Sequence, residues 1–195
     1  YEAAGKLRLR SGINHYSYLK IAEGCDKHCT YCIIPSIRGR YRSFPKEELV
    51  EEAARLASDG VNELILVAQE TTLYGIDLYG RKALGELIGE IGSIQGIERI
   101  RLMYCYPEEI DDSLIDILKK EPKLCRYIDM PIQHSEDSVL SRMGRKTTRQ
   151  EIIDRINYIR ERIPDIVIRT TLITGFPGET DEDHQGALNF IDEME

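Results

Sequence analysis

Short runs rich in aliphatic and β-branched residues alternate along the chain with longer stretches in which apolar positions recur every three or four residues. YLKIA, Tyr18 to Ala22, is the first such run. After a loop comes PKEELVEEAARLASDG, where Leu49, Ala53, Leu56 and Ala57 share one helical face and Gly60 stands just past the end, a common place for a left-handed residue. NELILVAQ, residues 62–69, is apolar enough for a strand buried on both faces, and ALGELIGEIGSI predicts the next helix despite its three glycines. RIRLMYCY with DDSLIDILKKE, YIDMPIQH with a helix from about Arg149 to Arg162, and DIVIRTTLITG with TDEDHQGALNFIDEM bring the count of βα units to five. Such an alternation builds parallel strands joined by helical crossovers, whose fixed hand lays consecutive strands side by side. A barrel-like sheet and a doubly wound sheet both fit. Glu23 to Cys32, Gln69 with Glu70, Tyr104 to Pro107, Gln133 with His134 and Gly175 to Glu179 all fall just after a strand. In a barrel those loops meet on one rim, the face that carries active sites. The expectation is an α/β fold, a partial TIM-type (βα)n barrel of parallel strands with five βα units visible and a sixth cut off, because the chain stops inside an amphipathic run.

Composition narrows the class. With 195 residues, 42% hydrophobic and 31% charged, the chain has the length and balance of one globular domain with a sizeable core. No run approaches the roughly 18 apolar residues that a membrane span needs, and YEAAGKLRLRSG at the start lacks a signal peptide's apolar centre. A cytoplasmic protein without membrane contact is expected, its thiols kept reduced. Residues 1–16 read as a linker from a missing N-terminal domain, and residues 17–195 as a core domain truncated at its C-terminal end. The net charge of −8 disfavours a surface that grips nucleic acid all over and suits a basic partner. RGRYR, Arg38 to Arg42, runs against that balance, as a phosphate contact or as a solvated loop face.

Three of the five cysteines lie within Cys25 to Cys32, spaced Cys25-x3-Cys29-x2-Cys32. The odd count argues against a disulfide framework. Structural zinc sites usually close four ligands, and His28 is poorly placed as the fourth because neighbouring side chains diverge; ferredoxin runs use four cysteines at another spacing. Three thiolates on a four-iron cluster leave one iron open to a substrate or cofactor. A non-enzymatic structural zinc module is the competing reading from another class. Cys105 and Cys125 read as packed in the core.

With an aromatic, Tyr31, before the last cysteine, and with its place after the first strand of a βα series, the motif resembles the radical S-adenosylmethionine (SAM) enzymes. The resemblance implies a 4Fe-4S cluster bound by Cys25, Cys29 and Cys32, with SAM on the open iron as the source of a 5′-deoxyadenosyl radical. It also implies that TLITGFPGET holds adenine and ribose, through Thr171, Ile173, Gly175 and Phe176, and that Tyr31 belongs to the cofactor-binding set. Gln69 or Glu70 stands where many members carry a glycine-glycine-glutamate run that meets the SAM amino group; here the residues read AQE. Gln133 offers a planar amide to ribose or carboxylate oxygens. Of Arg142 and Arg145, the expectation settles on Arg145 as a fork for the SAM carboxylate. His134 reads as a hydrogen-bonded structural histidine, and Tyr104 and Tyr106 as buried aromatic packing.

YLKIAEGCDKHCTYCIIPSIRGRYRS, PIQHSEDSVLSRMGRKT and TTLITGFPGETDED together resemble the methylthiotransferases within that family. YLKIAEGC, RLMYCYP and MPIQH are closer to the branch that modifies an aspartate β-carbon of small-subunit ribosomal protein 12 than to the tRNA-modifying branch, which stays open as the alternative. The resemblance implies a second 4Fe-4S cluster in an N-terminal domain, an RNA contact through a C-terminal TRAM domain, and a flavodoxin- or ferredoxin-like electron donor.

Overall fold

The structure, a computed structural model, describes residues 15–194. Most of the expected linker, residues 1–16, therefore lies outside the described residues. In chain order the elements are β1 (Tyr16–Lys20), β2 (Ala22–Glu23), α1 (Ile34–Arg38), β3 (Arg42–Ser43), α2 (Lys46–Ser58), β4 (Glu63–Val67), α3 (Ile76–Tyr79), α4 (Leu84–Gly92) and β5 (Arg99–Leu102). A 3-10 turn (Pro107–Glu109), α5 (Asp112–Lys120), β6 (Leu124–Asp129), α6 (Asp137–Arg142), α7 (Arg149–Arg162), β7 (Val167–Arg169) and α8 (Asp181–Glu193) follow.

The main sheet has the order β1-β4-β5-β6-β7, every pair parallel. Each strand therefore lies beside its neighbour in sequence, the singly wound order of a barrel arc. A doubly wound sheet would reverse direction at a switch point. Crossovers through α2, α4, α5 and α7 link these strands, and α8 follows β7.

Leu19, Leu64, Leu66, Ile100, Leu102 and Ile128 put one face of the sheet into a core shared with Leu49, Leu56, Leu87, Ile115, Ile152 and Ile159 of the helices. The other face is only half covered. β4 alternates between buried and half-buried positions, so the expectation of a strand buried on both faces is corrected: α-helices line just one side. On the open side Arg101 stacks over Tyr127 and pairs with Glu63 at 2.9 Å.

The first strand runs from Tyr16 to Lys20 rather than from Tyr18 to Ala22. Ala22 and Glu23 leave the sheet to pair antiparallel with Ser43 and Arg42, a ladder that closes the cysteine loop. The glycines of α4 have a packing reason. A β-carbon on Gly85 would sit 2.9 Å from Ile117 Cγ1, so the missing side chain lets α4 approach α5. The helix expected at about Arg149 to Arg162 has those ends, and begins with Thr148 and Glu151 capping each other reciprocally. Among the described residues, no helix is long and apolar enough to cross a membrane.

Candidate functional site

The loop from Glu23 to Arg42 is built to hold its thiols still. At its base Gly24 takes φ +79°, and a β-carbon there would lie 2.1 Å from Arg40 O, so only glycine lets the two arms of the loop meet. Cys25 N–H donates to Gly39 O at 3.1 Å and Cys32 N–H to Cys29 O at 3.0 Å. Thr30 ties the loop to the turn after α6, donating from N–H to Met143 O at 3.0 Å and from its hydroxyl to Arg142 O at 2.9 Å. Cys25 and Cys29 are buried and Cys32 is half-buried. Burial pushes the Cys25 thiol up, against the Lys27 N–H that donates to its sulfur at 3.4 Å.

That turn delivers Arg145, which is 8% exposed. Its guanidinium lies over the Tyr106 ring, 4.4 Å from the centroid, and Nη2 donates to Pro131 O at 3.2 Å. Nε and Nη1 have no partner. Three further buried atoms on the same rim share that condition: Gln69 Oε1 and Glu70 Oε2 after β4, and His134 Nε2 after β6. Among the described residues, these five are all the buried side-chain nitrogens and oxygens without a hydrogen bond. Burial raises the Glu70 carboxyl to about 7, although the hydroxyl and N–H of Thr72 and the charge of Lys27 pull the other way.

Gln133 has φ +73°, uncommon for a side-chain-bearing residue. Its N–H donates to Thr171 O at 2.9 Å and its carbonyl accepts from Ile173 N–H at 2.7 Å, which aligns the chain after β6 with the chain after β7. Thr171 is exposed and Ile173 half-buried. Gly175, φ +76°, begins the turn that brings Phe176 edge-on to Tyr31, ring centroids 6.4 Å apart. Glu179 holds this turn by accepting from Phe176 N–H at 2.9 Å, while its other oxygen lies 3.6 Å from His134 Nε2 and 3.3 Å from His184 Nδ1.

The structure thus brings Cys25, Cys29, Tyr31, Arg145 and Phe176 into one connected neighbourhood. Gln69 and Gln133 follow the C-terminal ends of β4 and β6, which β5 separates, on the same rim. Arg142 takes a different place, donating to Gly178 O at 2.8 Å and pairing with Asp183 at 3.5 Å. His134 accepts from Glu136 N–H at 3.1 Å, as a structural histidine does. Cys105 is fully buried, in keeping with packing. Tyr104 corrects the expectation of buried aromatic packing: it is 44% exposed with φ +60°, and its N–H is held by Asp129 Oδ2 at 3.1 Å. Sequence reasoning also missed the pairing of Tyr106 with Arg145 and Lys27, because residues far apart in the chain carry no periodic signal of their contact.

The donor set fits a 4Fe-4S cluster and SAM. Thiolate sulfurs suit iron. The unpartnered guanidinium nitrogens suit a carboxylate, and the unpartnered oxygens suit an ammonium or hydroxyls. A cavity of about 130 Å³ opens beside Cys29, lined by Lys27, His28, Tyr106, Arg145 and Lys146 among others. Among the described residues, no three His, Cys, Asp or Glu side chains come close enough to share one metal ion. A cluster is instead bound at several irons.

Comparison with known proteins places the chain in a family. The ribosomal protein uS12 methylthiotransferase RimO of Lachnoclostridium phytofermentans is 60% identical over 187 residues, 96% of this chain and 42% of that protein. The protein of the same description from Clostridioides difficile is 50% identical over the same shares. The chain therefore spans about two fifths of the length of these curated relatives. Among solved structures, the radical S-adenosylmethionine methyltransferase TsrM from Kitasatospora setae, with tryptophan and a SAM analogue bound, superposes with a TM-score of 0.74 at 22% identity, over 92% of this chain and 34% of that one. That likeness bears on the fold alone. Residues 19–191, nearly the whole sheet and its helices, match the radical SAM superfamily, and the chain belongs to that family.

Proposed function

We propose that the chain is the radical SAM core of a cytoplasmic methylthiotransferase that places a methylthio group on the β-carbon of an aspartate in small-subunit ribosomal protein 12. The observation that carries the reading is the coincidence, among the described residues, of the three-thiol loop with the five buried side-chain atoms that lack a hydrogen bond on one rim of the sheet. The activity of the relatives, ribosomal protein uS12 methylthiotransferases at 50% and 60% identity, supports a ribosomal protein over tRNA as the substrate.

Cys25, Cys29 and Cys32 would hold three irons of a 4Fe-4S cluster, and Arg145 would receive the SAM carboxylate on its two free nitrogens. Gln69 Oε1 would accept from the ammonium group, with Glu70 behind it. Gln133 would meet ribose or carboxylate oxygens. Thr171, Ile173, Gly175 and Phe176 would form the adenine and ribose wall, with Tyr31 closing against Phe176. When bound, the cluster and SAM supply the 5′-deoxyadenosyl radical that removes hydrogen from an unactivated carbon. The protein's own part is to fix orientation, which the hydrogen-bonded loop with its buried Cys25 and Cys29 is suited to do. A second 4Fe-4S cluster, a TRAM domain that contacts RNA, and a flavodoxin- or ferredoxin-like electron donor complete the proposal for the longer protein.

The test is anaerobic reconstitution followed by electron paramagnetic resonance of the reduced chain with and without SAM, reading 5′-deoxyadenosine in the same tube. A four-iron signal that changes on adding SAM, with deoxyadenosine formed and both lost in Cys29→Ala, supports the site. Zinc in place of iron, or a cluster indifferent to SAM, refutes it. The substrate is tested by mass spectrometry of ribosomal protein 12 treated with the full-length protein.

A further inference from the structure

Tyr106 stands beyond the end of β5, half-buried, with its hydroxyl oxygen 4.0 Å from Cys29 Sγ. Two cations lie over its ring: Arg145 at 4.4 Å from the centroid to Cζ, and Lys27 at 5.0 Å to Nζ. Each cation is held elsewhere. Pro131 O receives Arg145 at 3.2 Å, and the carboxylates of Glu108 and Glu109 receive Lys27 at 3.3 and 3.1 Å. The ring therefore sits between the cysteine loop, which carries Lys27, and the turn after α6, which carries Arg145.

Either partner of a free thiol and a phenol can donate. A thiolate bound to iron has no proton and can only accept, so a bound Cys29 takes the hydrogen bond from Tyr106. Cations over the π face draw electron density from the ring and make the hydroxyl a better donor. A hydrogen bond to a cluster sulfur favours the more negative, reduced state and raises the reduction potential.

We infer that Tyr106 is a positioning residue that donates its hydroxyl to the Cys29 thiolate and raises the potential of the bound cluster, with Lys27 and Arg145 orienting the ring. The inference rests on the reading of Cys25, Cys29 and Cys32 as cluster ligands. It separates from a purely structural role because Tyr106→Phe keeps the ring and its cations and deletes only the O–H.

The experiment is a redox titration of the reconstituted chain followed by electron paramagnetic resonance. In Tyr106→Phe the reduced-to-oxidised ratio at a fixed potential should fall about tenfold, which is ~59 mV for one electron. An exchangeable proton coupled to the cluster should vanish as well. Tyr104→Phe, at the exposed neighbouring tyrosine, should move neither signal. An unchanged potential in Tyr106→Phe overturns the inference and leaves the ligand reading standing, whereas failure of the unaltered chain to assemble a four-iron cluster sinks both. If Tyr106→Phe assembles none, 3-fluorotyrosine at position 106 keeps the ring and sharpens the donor. A raised potential there supports the inference, and an unchanged one overturns it.

Discussion

The two ends of the parallel sheet satisfy their polar groups differently. At the end where strands begin, backbone groups interlock: Asn62 and Glu63 N–H donate to His15 O, Glu98 and Arg99 N–H to Asn62 O, and Ile100 N–H to Lys123 O, all at 2.7 to 3.1 Å. At the end where strands finish, Gln69, Glu70 and Arg145 each keep a buried atom without a hydrogen bond, and His134 Nε2 has only the Glu179 carboxylate at 3.6 Å. An unmade buried hydrogen bond costs about 1–3 kcal/mol, so this end carries a standing cost that the other does not. The same chain satisfies its polar groups at one end of the sheet and leaves several unsatisfied at the other, the rim on which the proposed cofactor would sit.

The sharpest way to break that contrast is at the base of the cysteine loop. Gly24→Ala places a β-carbon 2.1 Å from Arg40 O at a left-handed φ of +79°. Strain and clash together should cost about 4 kcal/mol, within the range reached only by such mechanisms. Urea unfolding reads the loss, and iron content after reconstitution should fall with it because the loop no longer closes. A variant that is stable and still binds iron would show that the loop tolerates another path.

A second change targets the standing cost itself. The Glu70 carboxyl titrates at about 7 in the folded chain because burial disfavours its charge, against a usual value near 4.5. The folded state therefore holds a proton that the unfolded state has released between those values. Stability is fully present below about pH 4.5, declines as pH rises, and reaches its lower level above pH 7. The loss is about 3 kcal/mol for a shift of that size. Glu70→Gln should match the unaltered apo chain near pH 4.5 and exceed it by about that amount at pH 8. Equal pH profiles for both chains would place the charge of Glu70 in a solvated setting.

Much of this architecture was legible in the sequence, for reasons that vary by residue. The helix of Arg149 to Arg162 was legible from its amphipathic run, a local property, whereas its reciprocal cap by Thr148 and Glu151 came from the structure. The order of strands followed from the βα alternation, since fixed crossover handedness leaves few alternatives. Cys25, Cys29 and Cys32 stood out because three thiols so close together have few uses. The strained backbone of Tyr104 and Gln133 was not legible: φ values of +60° and +73° are imposed by tertiary partners, Asp129 for one and the chain after β7 for the other. Gln69 was readable as a strand-end amide, while its unpartnered oxygen is a fact about what surrounds it. Tyr106 was read as packing because its contacts, Lys27, Cys29 and Arg145, come from segments distant in sequence.

The smallest effect belongs to the end where strands begin. Arg126 Nη1 lies 2.6 Å from both carboxylate oxygens of Asp165, a short contact that joins β6 to the start of β7. Both side chains are more than half exposed, so water already solvates the charges and mobile ions screen their attraction. Arg126→Ala should leave urea unfolding nearly unchanged, and any difference should shrink in high salt. Iron content and SAM-dependent deoxyadenosine formation should stay unchanged, because the pair lies at the opposite end of the strands from the thiols. A loss of cluster in this variant would mean that the two ends of the sheet are coupled through β6, and the division of labour between them would fall.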